Sequence, residues 1–235
     1  MSEGVKISTE SSPRINLLLR AAGRGLSFVI IMPLLFRLIS GTWKYWQGWV
    51  FLVLVFVPVM WVLLYFYKHD PSLLERRMRY KEQIKEQARV SVLAGIVVMM
   101  AIFLPGLDIR YGWSHVPFWL VIFSEVMVLL GFLIFIQVMR TNAYLSRVVE
   151  VTSEQRVVST GLYGLIRHPM YTGVILMSVF TSLALGSYWF VILGALVIPV
   201  IVIRLLGEEK YLSKELPGYV EYMGKVRYRL IPGIW

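Results

Sequence analysis

Cysteine is absent from the 235 residues. Disulfides, zinc–thiolate centres and a cysteine nucleophile are therefore excluded. Histidine is nearly absent as well: only His69, His115 and His168 occur, too few for a multi-histidine metal site. Charge is scarce, with 16% of residues charged against about 25% in an ordinary soluble domain. Polar residues at mid-span, which a channel or carrier would need, are scarce too. No internal repeat of the transporter type is found, and no small-residue cleavage site follows the first apolar run, so a cleaved signal peptide is not expected.

What the chain has is apolar length. It is 57% hydrophobic with a mean hydropathy of +0.67, arranged in runs too long for a soluble helical domain. The composition is that of an integral membrane protein. The net charge of +10 would suit nucleic acid only if a basic stripe were interleaved with aromatics in a soluble domain. Here the basic residues lie in the loops between apolar runs, which points to membrane topology and anionic lipid, with no nucleic acid as partner.

The fold class is all-α: a polytopic helical bundle of about six transmembrane spans with a C-terminal amphipathic helix. Three regions are expected: a polar tail over residues 1–14, disordered or lying at the surface; spans one to four over 15–140; and a functional core over 141–235. The spans run roughly over residues 26–39, extendable back to Leu17, then 49–67, 90–104, 117–139, 170–185 and 188–206. Pro58 should kink the second. Asp70 can cap a charged helix with Pro71 at its first position, reaching about Gln87 along the basic face of the membrane. Pro105-Gly106 ends the third span and leads into a turn holding Asp108, Arg110 and Trp113. Only Gly186-Ser187 separates the fifth and sixth spans, which makes them a tight antiparallel hairpin. The amphipathic segment after Gly207 should break at Pro217-Gly218 and finish in an extended end.

That hairpin brings two polar clusters to one end. Arg167-His168 stands where the fifth span begins, inside the crowded stretch from Gln155 to Gly173. Arg204 and Glu208, four apart and so on one helical face, stand where the sixth ends. Ionisable groups beside spans are costly and tend to mark functional sites. Each member also has a plain structural role open to it: a topology anchor for Arg167, a helix start for His168-Pro169, an i,i+4 pair for Arg204 and Glu208. Their coincidence at one depth suggests two clusters closing on one cofactor.

At these residues the chain resembles the isoprenylcysteine carboxyl methyltransferase and phospholipid methyltransferase group of membrane enzymes. The pattern is Gly161-x-Tyr163, then Arg167-His168-Pro169-x-Tyr171-x-Gly173, then Arg204, Glu208-Glu209-x-x-Leu212, Tyr219-x-x-Tyr222, Val226, Arg229 and Pro232. The resemblance implies S-adenosyl-L-methionine as cofactor, held on the cytoplasmic side, with a lipophilic acceptor entering from the bilayer. Carried over, it puts Gln155, Arg156, Val157, Val158, Tyr163, His168, Pro169, Met170, Tyr171 and Glu208 on the cofactor. It puts Arg204 on the acceptor and gives catalytic roles to Arg204 and His168, with Tyr219 and Tyr222 bracing the lid. A carboxylate acceptor needs no general base. An amine or thiol would want one, for which His168 or Glu209 are candidates. The first half has no stretch matching the extra spans of the eukaryotic prenylcysteine enzymes, so a small prenyl, phenolic or lipid acceptor stands beside a prenylated protein. Two further readings compete: an NADPH-dependent membrane reductase of the sterol reductase type, which would want a longer chain, and a non-catalytic carrier or scaffold.

Basic residues collect in the N-terminal tail, the loops after spans two and four, and the C-terminal tail, whereas the opposite loops hold only Lys44 and Arg110. Trp43, Trp113 and Trp189 all fall on that opposite side. Both termini and the cofactor site are thus expected in the cytoplasm, in a prokaryotic inner membrane rather than the endoplasmic reticulum. A green fluorescent protein fused after Trp235 should fluoresce, and alkaline phosphatase fused after Ser187 should be active; the reverse pattern inverts the topology.

Overall fold

A computed structural model describes residues 13–78, 85–145 and 155–235. Among these residues the chain is helical, with no strand. In order the helices are α1 (Pro13–Ser40), α2 (Trp46–His69), α3 (Pro71–Met78), α4 (Lys85–Phe103), α5 (Pro105–Tyr111), α6 (Phe118–Thr141), α7 (Pro169–Ala184), α8 (Val191–Glu215) and α9 (Tyr219–Lys225), with a 3₁₀ turn at Gly161–Gly164 before α7. Among the described residues, four stretches are long and apolar enough to cross a membrane: Trp46–His69, Ser91–Tyr111, Phe118–Thr141 and Val191–Glu215. Two shorter apolar helices, Ser27–Ser40 and Pro169–Ala184, complete the expected bundle.

The helix starts follow local chemistry. Asp70 Oδ1 accepts the Leu73 N–H at 2.9 Å and the Ser72 hydroxyl at 2.6 Å, and Pro71 opens α3 behind that cap. His168 precedes α7, whose first residue is Pro169. Gly218, at φ +82°, lets the chain turn between α8 and α9, a backbone conformation that side chains with a Cβ disfavour.

Four details differ from the sequence expectation. Pro105-Gly106 opens the short helix α5 instead of ending in a turn, because proline at a first turn loses no helical hydrogen bond. The turn between α7 and α8 is longer than two residues: α8 begins at Val191, with Tyr188 and Trp189 in the turn. The sixth span and the amphipathic segment are one continuous helix to Glu215, since nothing before Pro217 breaks it. The charged helix is seen over Pro71–Met78, and residues 79–84 of its expected course lie outside the described residues, as do residues 1–12 of the tail.

The site-bearing half is held by close backbone approach. A Cβ on Gly131 of α6 would lie 2.7 Å from the Gly173 carbonyl oxygen, and one on Gly173 of α7 would lie 2.9 Å from the Gly131 carbonyl oxygen. A Cβ on Gly194 of α8 would run into the Ser178 carbonyl oxygen of α7. Small residues at such crossings let membrane helices pack through their backbones. At the end of the bundle away from the site, Asp108 is fully buried and accepts from the Ser114 N–H at 2.7 Å, the Ser114 hydroxyl at 2.5 Å and the Ser187 hydroxyl. The Tyr45 hydroxyl donates to the Leu185 carbonyl at 2.8 Å. The α7–α8 turn is thereby tied to α5 and to the start of α2, which fixes the far end of the hairpin that carries the site.

Gly194→Ala should lower stability by about 1–3 kcal/mol, because it overpacks a contact with backbone that cannot yield. Gly95→Ala, in the middle of α4 with nothing within 4 Å, should instead leave stability equal or raise it by up to about 1 kcal/mol. Thermal melting of both variants in one detergent compares them directly.

Candidate active site

The start of α7 is anchored by the C-terminal segment. The backbone N–H groups of Arg167 and His168 donate to the carbonyls of Tyr228 and Arg229, both at 2.9 Å. One turn on, the Thr172 hydroxyl donates to the Leu230 carbonyl at 2.9 Å. The end that the sequence marks only as extended is therefore a strap lying along Arg167–Thr172.

Glu209 sits at the middle of this junction. Its Oε1 accepts from Arg167 Nε at 2.7 Å and from His168 Nε2 at 3.1 Å, and its Oε2 accepts from Arg229 Nε at 2.9 Å. Arg167, His168 and Glu209 are all buried. Arg167 also donates through Nη1 to the carbonyls of Val226 at 2.9 Å and Arg227 at 3.1 Å, closing the C-terminal end of α9. One carboxylate thus joins the start of α7, the middle of α8 and the C-terminal strap. With two guanidinium groups on it, Glu209 acts only as an acceptor, so His168 carries a proton on Nε2. The sequence makes Glu209 a candidate base; in the structure both of its oxygens are taken by N–H donors.

The second cluster is built on Tyr171. Its hydroxyl donates to Glu208 Oε2 at 2.5 Å and accepts from Arg204 Nε at 3.1 Å. Arg204 Nη1 donates to the Ser91 hydroxyl oxygen of α4. Arg204 and Glu208, expected on one helical face, are thus bridged by a tyrosine from the neighbouring helix.

Both clusters border one cavity. Its wall includes Gln155, Arg156, Val157, Val158, Tyr163, His168, Met170, Tyr171, Arg204 and Glu208, every site residue expected from the sequence except Pro169. Pro169 is buried at the start of α7 and does not reach the wall, since its ring closes back on its own backbone nitrogen. Arg167, Tyr219 and Tyr222 line the cavity as well. Sequence reasoning missed Asn142, Tyr144, Leu145 and Leu216, which also line it. Asn142, following the last turn of α6, was the legible one: its side-chain amide donates to the Tyr163 hydroxyl at 3.1 Å. The Tyr222 hydroxyl donates to the Tyr163 carbonyl at 2.7 Å, which ties α9 to the 3₁₀ turn.

Residues 119–217 match the model of the Phospholipid methyltransferase family. The match takes in nearly all of α6, all of α7 and α8, and the polar clusters except Arg229 and Ser91, and stops short of α4, α9 and the strap. The match supports a methyltransferase, and the long apolar helices fit an integral membrane protein. A search of curated proteins returns no match to the chain.

The two clusters differ in placement. The Glu209 cluster is a lock, and the Arg204–Tyr171–Glu208 set stands at the cavity wall. Among the described residues no group of three acidic or histidine side chains is placed to hold a metal ion. Burial, with the neighbouring Tyr163 and Glu209 acting in the same direction and Arg167 against it, pushes the Tyr222 hydroxyl well above the usual tyrosine range. Burial does the same to Tyr219. Both therefore stand in the cavity wall as neutral phenols.

Glu209→Ala should cost about 3–5 kcal/mol, since it leaves a buried guanidinium without its partner. Tyr222→Phe should cost only about 1–2 kcal/mol, the worth of one hydrogen bond. The folded state holds the Tyr222 proton more tightly than the unfolded chain. Its contribution is complete below about pH 10 and is lost as the pH rises above that. A melting series from pH 7 upward should thus fall less steeply for Tyr222→Phe than for wild type.

Proposed function

We propose that the protein is an integral membrane S-adenosylmethionine-dependent methyltransferase acting on the carboxylate of a lipophilic acceptor. The observation that carries this reading is the Arg204–Tyr171–Glu208 bridge, which puts a cation and an anion side by side in the wall of one cavity. The cavity residues fit the cofactor chemically. Glu208 offers a carboxylate to hydroxyls or an ammonium group. Tyr163, Tyr171, Tyr219 and Tyr222 offer aromatic faces, which favour a cationic group. The segment Gln155–Val158 offers backbone amides and carbonyls at the rim. When bound, S-adenosylmethionine supplies an electrophilic methyl group on a sulfonium.

The rest of the chemistry asked of the chain is alignment and exclusion of water. Arg204 can hold a carboxylate through paired N–H donors, and a carboxylate already carries the electron pair that forms the new bond. The disposition of the possible bases supports a carboxylate over an amine or thiol. Glu209 is occupied by Arg167, His168 and Arg229, and His168 is turned through Nε2 to Glu209. In this reading His168 keeps its place at the wall with Nε2 held by Glu209, and Arg204 carries the acceptor.

A lipophilic acceptor is supported by a second cavity of about 320 Å³, almost wholly apolar, between α1, α2, α4, α6 and α7. It follows the α7 face from Val174 to Thr181, starting one turn from Tyr171. The basic loops and the tryptophan-rich opposite side support a cytoplasmic cofactor site and cytoplasmic termini.

The test is calorimetric binding of S-adenosylmethionine and S-adenosylhomocysteine to the purified protein. Wild type should bind in the micromolar range, about −8 kcal/mol. Glu208→Ala should weaken binding about 10- to 100-fold, the effect of losing a hydrogen bond to a charged group. Absence of binding to both, with binding of NADPH instead, would replace this reading by the reductase.

A further inference from the structure

We propose that Ser91 of α4 is a positioning residue for Arg204, so that the first half of the chain supplies one support of the acceptor site. The inference rests on the reading of Arg204 as the acceptor's cation. Arg204 lies on α8, and its guanidinium meets a hydroxyl from each of two other helices. Its Nε donates to the Tyr171 hydroxyl of α7, and its Nη1 donates to the Ser91 hydroxyl oxygen, 113 residues away in the chain. A guanidinium is planar, and its N–H donors keep a fixed fork. Hydroxyls at two nitrogens, from two different helices, define its plane. A defined plane is what paired N–H bonds to a carboxylate require.

The position of α4 makes the hold firm. Val97, two turns beyond Ser91, is buried against Ile201 and Leu205 of α8, so α4 and α8 are packed together beside the contact. Val98 and Ile102 of the same helix line the apolar cavity. One helix therefore carries both a support for the cation and a wall of the apolar space. The family match begins at residue 119, beyond α4, so the motif that marks the other site residues gives no sign of Ser91.

The experiment uses the full chain in detergent micelles, with S-farnesylthioacetate as probe acceptor and labelled S-adenosylmethionine as donor. Ser91→Ala should raise the acceptor KM about tenfold or more while the donor Kd stays within twofold, since Tyr171 and Glu208 are untouched. Ser91→Thr, which keeps the hydroxyl, should recover most of the acceptor KM. An unchanged acceptor KM in Ser91→Ala, or a donor Kd that moves as far as the acceptor KM, overturns the proposal. Melting of Ser91→Ala, Arg204→Ala and the double variant tests the contact without turnover. The double shift should fall short of the sum of the single shifts, and additive shifts overturn the contact. Coupled melting with no methylation of the probe would support the hold of Ser91 on Arg204 and count against the carboxylate reading.

Discussion

The structure of the functional half depends on one buried carboxylate. Glu209 is the point at which α7, α8 and the C-terminal strap meet, and three N–H donors from Arg167, His168 and Arg229 converge on it. Taking a carboxylate and a guanidinium out of water is costly unless each is fully paired. Here the pairing is extended by the carbonyls of Val226 and Arg227, which take the remaining reach of Arg167. The Arg167 that pairs with Glu209 thereby also closes the C-terminal end of α9. A purely apolar junction could be as stable, but it would not fix the register of three segments at once; that specificity is the role an ion cluster can serve at such a place.

The lock leaves the neighbouring residue facing the cavity. Glu208 and Glu209 are adjacent in sequence and differ in task because successive helical residues point about 100° apart. Glu209 turns into the junction, and Glu208 turns to Tyr171 and the cavity. Tyr171 then joins Glu208 to Arg204, so the anion and the cation of the cavity wall share one hydroxyl. The close crossings of Gly131 with Gly173 and of Gly194 with Ser178 keep the three helices near enough for this bridge to form. At the opposite end of the bundle, Asp108 and Tyr45 hold the α7–α8 turn.

Much of this was legible from residue order. The apolar runs located the spanning helices, and Asp70-Pro71 and His168-Pro169 marked helix starts that the structure has. Gly161-x-Tyr163, Arg167-His168 and Arg204 with Glu208 marked the ends that gather at the cavity. The expectation failed where continuity was at stake. Pro105 began a helix, and α8 ran on past the membrane-grade residues to Glu215. A proline breaks a helix only where its missing N–H was needed, and a polar stretch continues a helix when no residue in it opposes the backbone. Neither condition is visible in hydropathy.

The sequence by itself determined the spans, the membrane class, the hairpin that sets α7 beside α8, and which residues gather at its end. Those features depend on hydropathy and on helical period, and both are local. The tertiary structure alone decided what each polar group meets. It turned Arg167 and His168 onto Glu209, laid the Tyr228–Leu230 strap along α7, and brought Ser91 to Arg204. Those partners lie 41 to 113 residues apart in the chain. Their meeting depends on how the helices pack and rotate against one another, which no local pattern specifies.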